Sequence, residues 1–258
     1  MDNSNLRILY LFTDLLAPLI VGYLLYRHGK ISDALISRIL RLNVIIIYTL
    51  LALMSCWTLP ISWDLALIPI YGVLIVLFPG LIGWAFFIRK YHSPIDRGAY
   101  LANAMMSNIT TLGGVCAYII YGEQGFAYAQ IMGIFQTLLL VLAVFPMAQY
   151  YYLQHKNHGR GGKIHIRFAD IFLSWNQLSI LGMAVGLALN AAGVERPPAV
   201  GTAFEGLIHF GAWFGMLPVG ALVNLHRARR YAPYTLDLFA LRFLILPAFM
   251  MAVSYPFV

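Results

Sequence analysis

Apolar residues run along this chain in eight blocks of membrane-crossing length, divided by short intervals where charge collects. The blocks are Leu6 to Arg27, Arg38 to Thr58, Leu65 to Ile88, Arg97 to Tyr121, Gly125 to Tyr152, Phe168 to Ala192, Ala199 to Leu225 and Leu236 to Phe257. A hydrocarbon core about 30 Å thick takes about 20 apolar residues of helix. The pattern therefore predicts an all-α integral membrane protein of eight spans. The first block is too long for a signal-peptide core, holds Asp14 and lacks a small-residue cleavage site, so it is expected to be retained. The longest polar interval, His155 to Arg167, is only a loop, and the spans are expected to form one membrane domain.

Composition agrees. Of 258 residues, 61% are hydrophobic and 10% charged, against about 25% charged in soluble domains. The mean hydropathy is +0.77. Cys56 and Cys116 fall inside apolar blocks, where a small buried hydrophobe is the expected role and no disulfide framework is implied.

A net charge of +7 could suggest a nucleic-acid partner, but the positions of the cations argue otherwise. The loops after the first, third, fifth and seventh blocks carry 14 of the 17 Lys and Arg, among them Lys30, Arg41, Arg89, Lys90, Lys156 and Arg230. The even loops carry only Arg196. By the positive-inside rule the odd-numbered loops face the cytoplasm and the N-terminus faces out. The basic charge sets orientation, a multi-pass protein of the cell (inner) membrane is expected, and no nucleic-acid partner is.

The sixth block echoes the first. Ile20-Val21-Gly22-Tyr23-Leu24-Leu25 leads to Gly29, and Ala184-Val185-Gly186-Leu187-Ala188-Leu189 leads to Gly193 at the same distance. The third and eighth blocks pair likewise, with Leu77-Phe78-Pro79-Gly80-Leu81 against Ile245-Leu246-Pro247-Ala248-Phe249. An offset of five spans reverses direction through the bilayer, so the expected organisation is two inverted repeats. Residues 1–154 hold five spans and residues 155–258 hold three. Inverted repeats are a device of transporters, in which two similar bundles expose a midplane site alternately to each side.

The fourth block carries the candidate site. Pro94 to Gly122 is 29 residues, about 43 Å if fully helical, longer than the hydrocarbon requires. At its centre stands Asn108-Ile109-Thr110-Thr111-Leu112-Gly113-Gly114. A continuous helix could use the glycines for packing and the threonines to bond their own carbonyls. An Asn beside a glycine pair at mid-membrane is better explained by two half-helices meeting at an unwound centre. Free N–H groups near Thr111 to Gly114, the positive end of the second half-helix, would then suit a carboxylate. Asn108, Thr110, Thr111, Gly113 and Gly114, with Gln136 of the fifth block, are the expected substrate-binding residues.

Other polar residues divide between function and packing. Asp14 lies about 12 Å beyond Leu6 at helical rise, deep enough for proton or ion coupling to be expected of it, with reach to the outer interface as the alternative. Asn43, Asn103, Gln130 and Gln136 can each serve as interhelical hydrogen-bonding groups. Gln136, near the middle of the fifth block, is the one expected to line a cavity. Glu205 and His209 are spaced to pair on one helical face. His155, His158 and His165 read as a solvated loop, and no metal site is expected. Arg242 could attract an anion or snorkel to the cytoplasmic interface. No Gly-x-Ser-x-Gly, His-Glu-x-x-His, Cys-x-x-Cys or P-loop pattern occurs, so neither an enzyme nor a cofactor is expected.

The run from Asn108 to Gly113, followed by Tyr121-Gly122-Glu123-Gln124-Gly125-Phe126, resembles the auxin efflux carrier family of membrane transporters. Pro18, Gly22-Tyr23-Leu24-Leu25, Gly29, Ile31-Ser32, Arg242 and Pro247 add to the resemblance. Val115 stands where the family usually has proline. The resemblance implies ten helices in two inverted sets of five, with broken crossover helices at the fourth and ninth positions, a fold shared with bile-acid:sodium symporters. Of those ten, eight are expected here, the ninth and tenth being lost by truncation or supplied by a partner. Known substrates of the family are organic anions such as auxin, malate and malonate. The expected function is secondary active transport of a small organic anion, with a proton or sodium as coupling ion and a homodimer as one open assembly. The alternative is a non-transporting membrane sensor or regulatory subunit on a truncated transporter scaffold.

Overall fold

The computed structural model describes residues 9–60, 63–156, 178–224 and 235–255. The basic positions Arg160, Lys163, Arg167, Arg227, Arg229 and Arg230, with His158 and His165, lie outside them. The described chain is helical, and among the described residues there is no strand. We number the helices α1 (residues 11–27), α2 (Asp33–Cys56), α3 (Ile68–Lys90), α4 (Pro94–Met105), α5 (residues 109–121), α6 (residues 123–132), α7 (residues 136–156), α8 (Leu178–Ala191), α9 (Pro198–Leu222) and α10 (Thr235–Ser254). Among the described residues four runs are long and apolar enough to cross a membrane: α2, α3, α10 and the stretch Pro94–Met132.

That last stretch is not one helix. The backbone is extended at Met106 (φ −71°, ψ 126°) and non-helical at Asn108 (φ −94°, ψ 67°), which ends α4 and starts α5. Gly122, at φ 71° and ψ −157°, then turns the chain back on itself. The return is tight because Gly125 has no side chain: a Cβ there would stand 2.4 Å from the Ala117 carbonyl oxygen. The fifth apolar block is also interrupted, at Gly133–Phe135, between α6 and α7. Nothing in the sequence reading anticipates this second break.

Six described helices contain a five- or six-residue π-helical turn. Four of these turns hold polar residues of the apolar blocks: Asp14 in Leu11–Leu16, Asn43 in Asn43–Ile47, Thr110 and Thr111 in Ile109–Gly113, and Arg242 in Leu241–Ile245. A π-turn inserts one residue into the helical ladder and re-aims the side chains around it, and such turns are frequent at functional sites.

The chain forms two compact units that do not follow chain order. One contains the described parts of Met1–Leu65, Asn108–Ile131 and Ser174–Asn224; the other contains those of Ala66–Ser107, Met132–Leu173 and Leu225–Val258. Two of the chain's passages from one to the other, between Ser107 and Asn108 and between Ile131 and Met132, fall at or beside the two breaks.

In the first unit α1 packs on α9 and α2 on α8, each through glycines that admit a neighbouring backbone. A Cβ on Gly22 would lie 2.0 Å from the Leu217 carbonyl oxygen, and one on Gly186 would lie 2.3 Å from that of Leu53. One constant shift in numbering carries Gly22 onto Gly186 and Leu53 onto Leu217. The same shift carries the end of α1 onto the end of α8. His28, Gly29 and Lys30 donate to the carbonyls of Leu24, Tyr26 and Leu25; Ala192, Gly193 and Val194 donate to those of Ala188, Asn190 and Leu189. Gly29 and Gly193 take φ of 66° and 68°, the left-handed conformation that such a helix stop requires. Both pairings are parallel. Asp14 meets His209 and, eight residues on, Gly22 meets Leu217; Gly182 meets Thr49 and, four residues on, Gly186 meets Leu53.

The core of this unit gathers Leu15, Tyr48, Leu51, Val115, Phe126, Phe204, Ile208 and Met216. In the second unit Ile88, Tyr91, Tyr100 and Leu101 form one cluster, and Val76, Met105 and Val144 another. Close approach again rests on glycine: Gly72 faces the Met132 carbonyl, and Gly98 the Tyr151 side chain.

Candidate functional site

The break in the fourth block leaves the last carbonyls of α4 and the first N–H groups of α5 without helical partners. The two ends are treated differently.

At the α4 end, in the second unit, the carbonyls are satisfied by side chains from elsewhere. Arg242, on the π-turn of α10, donates to the Met106 carbonyl and to the Ser107 hydroxyl, and through Nη2 to the Asn103 carbonyl at 3.1 Å. Gln136, the first residue of α7, donates to the Ser107 carbonyl. Asn103 bonds back to Ala99 of its own helix at 2.8 Å. A guanidinium at a helix C-terminus complements the negative end of the dipole while supplying several donors. Arg242 is therefore engaged with α4, and so is the amide of Gln136, the residue expected from sequence to line a cavity.

At the α5 end, in the first unit, acceptors are held and donors are left open. Asn108 caps the half-helix: its Oδ1 accepts from the Leu112 N–H at 3.3 Å and its carbonyl from the Gly113 N–H at 2.9 Å. Gln130 on α6 donates to the Thr110 carbonyl at 2.8 Å, and the Tyr48 hydroxyl on α2 donates to the Thr111 carbonyl at 3.3 Å. The N–H groups of Ile109, Thr110 and Thr111 find no acceptor among the described residues. Asn108 is exposed, and Thr110 and Thr111 are half-buried.

The glycines do separate work. Gly114 is buried, and a Cβ there would press Phe126 at 3.1 Å and the Gln130 amide nitrogen at 3.2 Å, so it sets how closely α6 lies on α5. Gly113 is half-buried with only the Asn108 carbonyl near it. Gly215 of α9 performs the same service on the opposite flank, where a Cβ would meet Thr111 and Asn43, each at 3.2 Å. Asn43 is 1% exposed; its Nδ2 donates to the Gly211 carbonyl at 3.1 Å, while its Oδ1 is buried without a partner among the described residues. Tyr48, Gln130 and Asn43 thus join the α5 terminus although sequence reasoning held the two amides for packing and passed over Tyr48.

Away from the break, Asp14 is 5% exposed and its Oδ2 lies 2.6 Å from Nδ1 of His209. The pairing of His209 with Glu205 that the helical spacing suggested gives way to this contact, made possible by the parallel packing of α1 on α9. Arg196 forms a two-pronged ion pair with Glu123, with 3.0 Å between Nη2 and Oε2, and donates to the Met54 carbonyl at 2.9 Å. That pair fixes the turn around Gly122.

No protein-family model, curated protein or solved structure matches this chain.

Proposed function

We propose that the protein is a secondary transporter that carries a small organic anion by alternating access, with the N-terminus of α5 as its binding site. The observation that carries this reading is the set of three open N–H groups at Ile109, Thr110 and Thr111, on the half-helix capped by Asn108. In a hydrocarbon setting an unpaired backbone donor costs several kcal/mol. A structure that satisfies the carbonyls around the break and leaves these donors open is arranged for a guest that brings acceptors. A carboxylate does so, and the half-helix dipole favours its charge. Thr110 and Thr111 add hydroxyls, and Gln130 and Tyr48 hold the carbonyls behind them.

The matched helix stops at Gly29 and Gly193, and the exchanged contacts of Gly22 and Gly186, support an organisation in inverted repeats of residues 1–154 and 155–258. Parallel packing of α1 on α9 and of α2 on α8 agrees with eight alternating spans, in which first and seventh, and second and sixth, run the same way. With the Asn108-to-Gly113 run, these features support placement in or near the auxin efflux carrier family. The cation distribution supports the cell membrane with the N-terminus outside.

The test is uptake of radiolabelled malonate or malate into liposomes containing the purified chain. Asn108→Ala and Thr111→Val are expected to lower the rate at least tenfold while remaining monodisperse. Equal rates in both variants, or specific malonate binding without net flux in the parent, would exclude transport through this site.

A further inference from the structure

The pair formed by Asp14 and His209 has no part in the anion site described above, and its chemistry is that of a proton carrier. Asp14 sits in the π-turn of α1 with its side chain 7% exposed, and the imidazole that faces it on α9 is 30% exposed. The contact of 2.6 Å between Oδ2 and Nδ1 is short enough to be charge-assisted. Among the described residues the other carboxylate oxygen has only the Thr13 hydroxyl near it, at 3.4 Å, and that hydroxyl's single proton is shared with the Leu9 carbonyl, nearer at 3.0 Å.

We propose that Asp14 and His209 form a proton-binding site which, on the transporter reading above, couples anion movement to the proton gradient. A hard cation gathers about six oxygen ligands or more; here one carboxylate, one hydroxyl and an imidazole nitrogen are presented, a set that suits a proton and not sodium. The other ring proton stays on Nδ1 in both states, donated to the Asp14 carboxylate, because that hydrogen bond fixes the tautomer. The proton that comes and goes is the one on Nε2. Bound, it makes an imidazolium–carboxylate pair of zero net charge; released, it leaves a buried carboxylate beside a neutral ring.

The surrounding ionisable groups sharpen the difference. On α1 the Tyr10 ring lies 4.6 Å from the imidazole, and on α5 the Tyr118 ring lies 6.2 Å from it. Glu205 stands one turn earlier on α9, and Glu123 is already matched by Arg196. Cys116 on α5 and Tyr48 on α2 pack in the same cluster, the latter with its hydroxyl engaged by Thr111. Among these neighbours no second cation is free to neutralise Asp14 when the proton leaves. Proton release therefore weakens the α1 to α9 contact, and both helices belong to the unit that carries the α5 terminus.

The test has two readouts on the full chain in lipid. Nitrogen-15 spectra of the histidines, with His209 assigned by His209→Gln, are expected to show at alkaline pH a neutral ring protonated on Nδ1, and in Asp14→Asn a loss of that preference. A ring protonated on Nε2 alone would overturn the proton site whatever the transport result. In liposomes, an inward proton gradient of one pH unit is expected to drive about tenfold accumulation of a monoanion carried with one proton, and a sodium gradient none. Asp14→Asn and His209→Gln are expected to abolish that accumulation while leaving exchange of anion for anion in place; Asp14→Glu is expected to keep part of it. Uptake that follows sodium, or a tenfold response surviving in Asp14→Asn, would overturn the coupling and leave the anion site standing. Absence of any flux or exchange in the parent would overturn the transport reading and the coupling together, with the spectra still deciding the proton site.

Discussion

Gln130 donates its side-chain amide to the Thr110 carbonyl across 2.8 Å, tying the first turn of α5 to the helix that follows it. The bond turns a carbonyl at the break away from the site and leaves the N–H side open. Gln130→Leu keeps the volume and removes the donor, so the Thr110 carbonyl is left facing apolar surroundings. A lost bond of this kind inside a membrane protein is worth about 0.6–2 kcal/mol. Thermal unfolding in detergent is expected to show a loss in that range, and malonate affinity a fall of several-fold. An unchanged affinity with lowered stability would reduce Gln130 to a packing role.

Arg242 serves three acceptors at the end of α4 at once, which only a planar, forked cation can do. Arg242→Lys is expected to recover part of the stability lost in Arg242→Met and no more, since an ammonium reaches fewer of the three positions. A cost of about 1–3 kcal/mol is expected for Arg242→Met from the acceptors at the end of α4 left without a protein donor. Chemical denaturation of the reconstituted protein measures it. Equal stability of Lys and Met variants would show that the fork geometry is immaterial.

Gly22 and Gly186 are expected to be equally intolerant of a side chain. An alanine methyl at either meets a backbone carbonyl oxygen at 2.0 or 2.3 Å, whereas one at Gly206 meets nothing within 4 Å. Gly22→Ala and Gly186→Ala should lower the unfolding temperature by similar amounts of several degrees, with Gly206→Ala unchanged or slightly raised, as removing a helical glycine allows. A large inequality between the first two would argue against the repeat symmetry.

Orientation is testable one cysteine at a time. In a background lacking Cys56 and Cys116, a cysteine at Lys30 is expected to react with an impermeant maleimide only after the cells are opened, and one at Glu195 in intact cells. The reverse pattern would invert the topology drawn from the basic loops.

Much of this architecture can be read from sequence because it depends on local composition. Apolar block length locates the helices, and the glycine of each helix stop marks Gly29 and Gly193. The polar run from Asn108 announces the break in the fourth block, since polar residues at mid-membrane need a reason to be there. The second break, at Gly133–Phe135, is carried by one ordinary glycine in an apolar run and leaves no such mark. The π-turns around Asp14, Asn43 and Arg242 are equally silent, because a one-residue widening of a helix has no residue signature. Contacts across the fold are silent too: the spacing of Glu205 and His209 invites a pairing along one helix, and only the packing of α1 on α9 brings Asp14 within reach. Gln136 and Arg242 were visible as polar residues in apolar blocks, but not as the groups that close the end of α4.

A carboxylate seated on the open amides of α5 would lie within hydrogen-bond distance of their nitrogens. Dipolar dephasing between carbon-13 carboxyl malonate and nitrogen-15 backbone amides, in the lipid-reconstituted protein, measures that distance. Strong dephasing is expected at the amides of Ile109, Thr110 and Thr111, lost in Asn108→Ala. Saturating malonate that leaves all three signals undisturbed would contradict binding at this terminus.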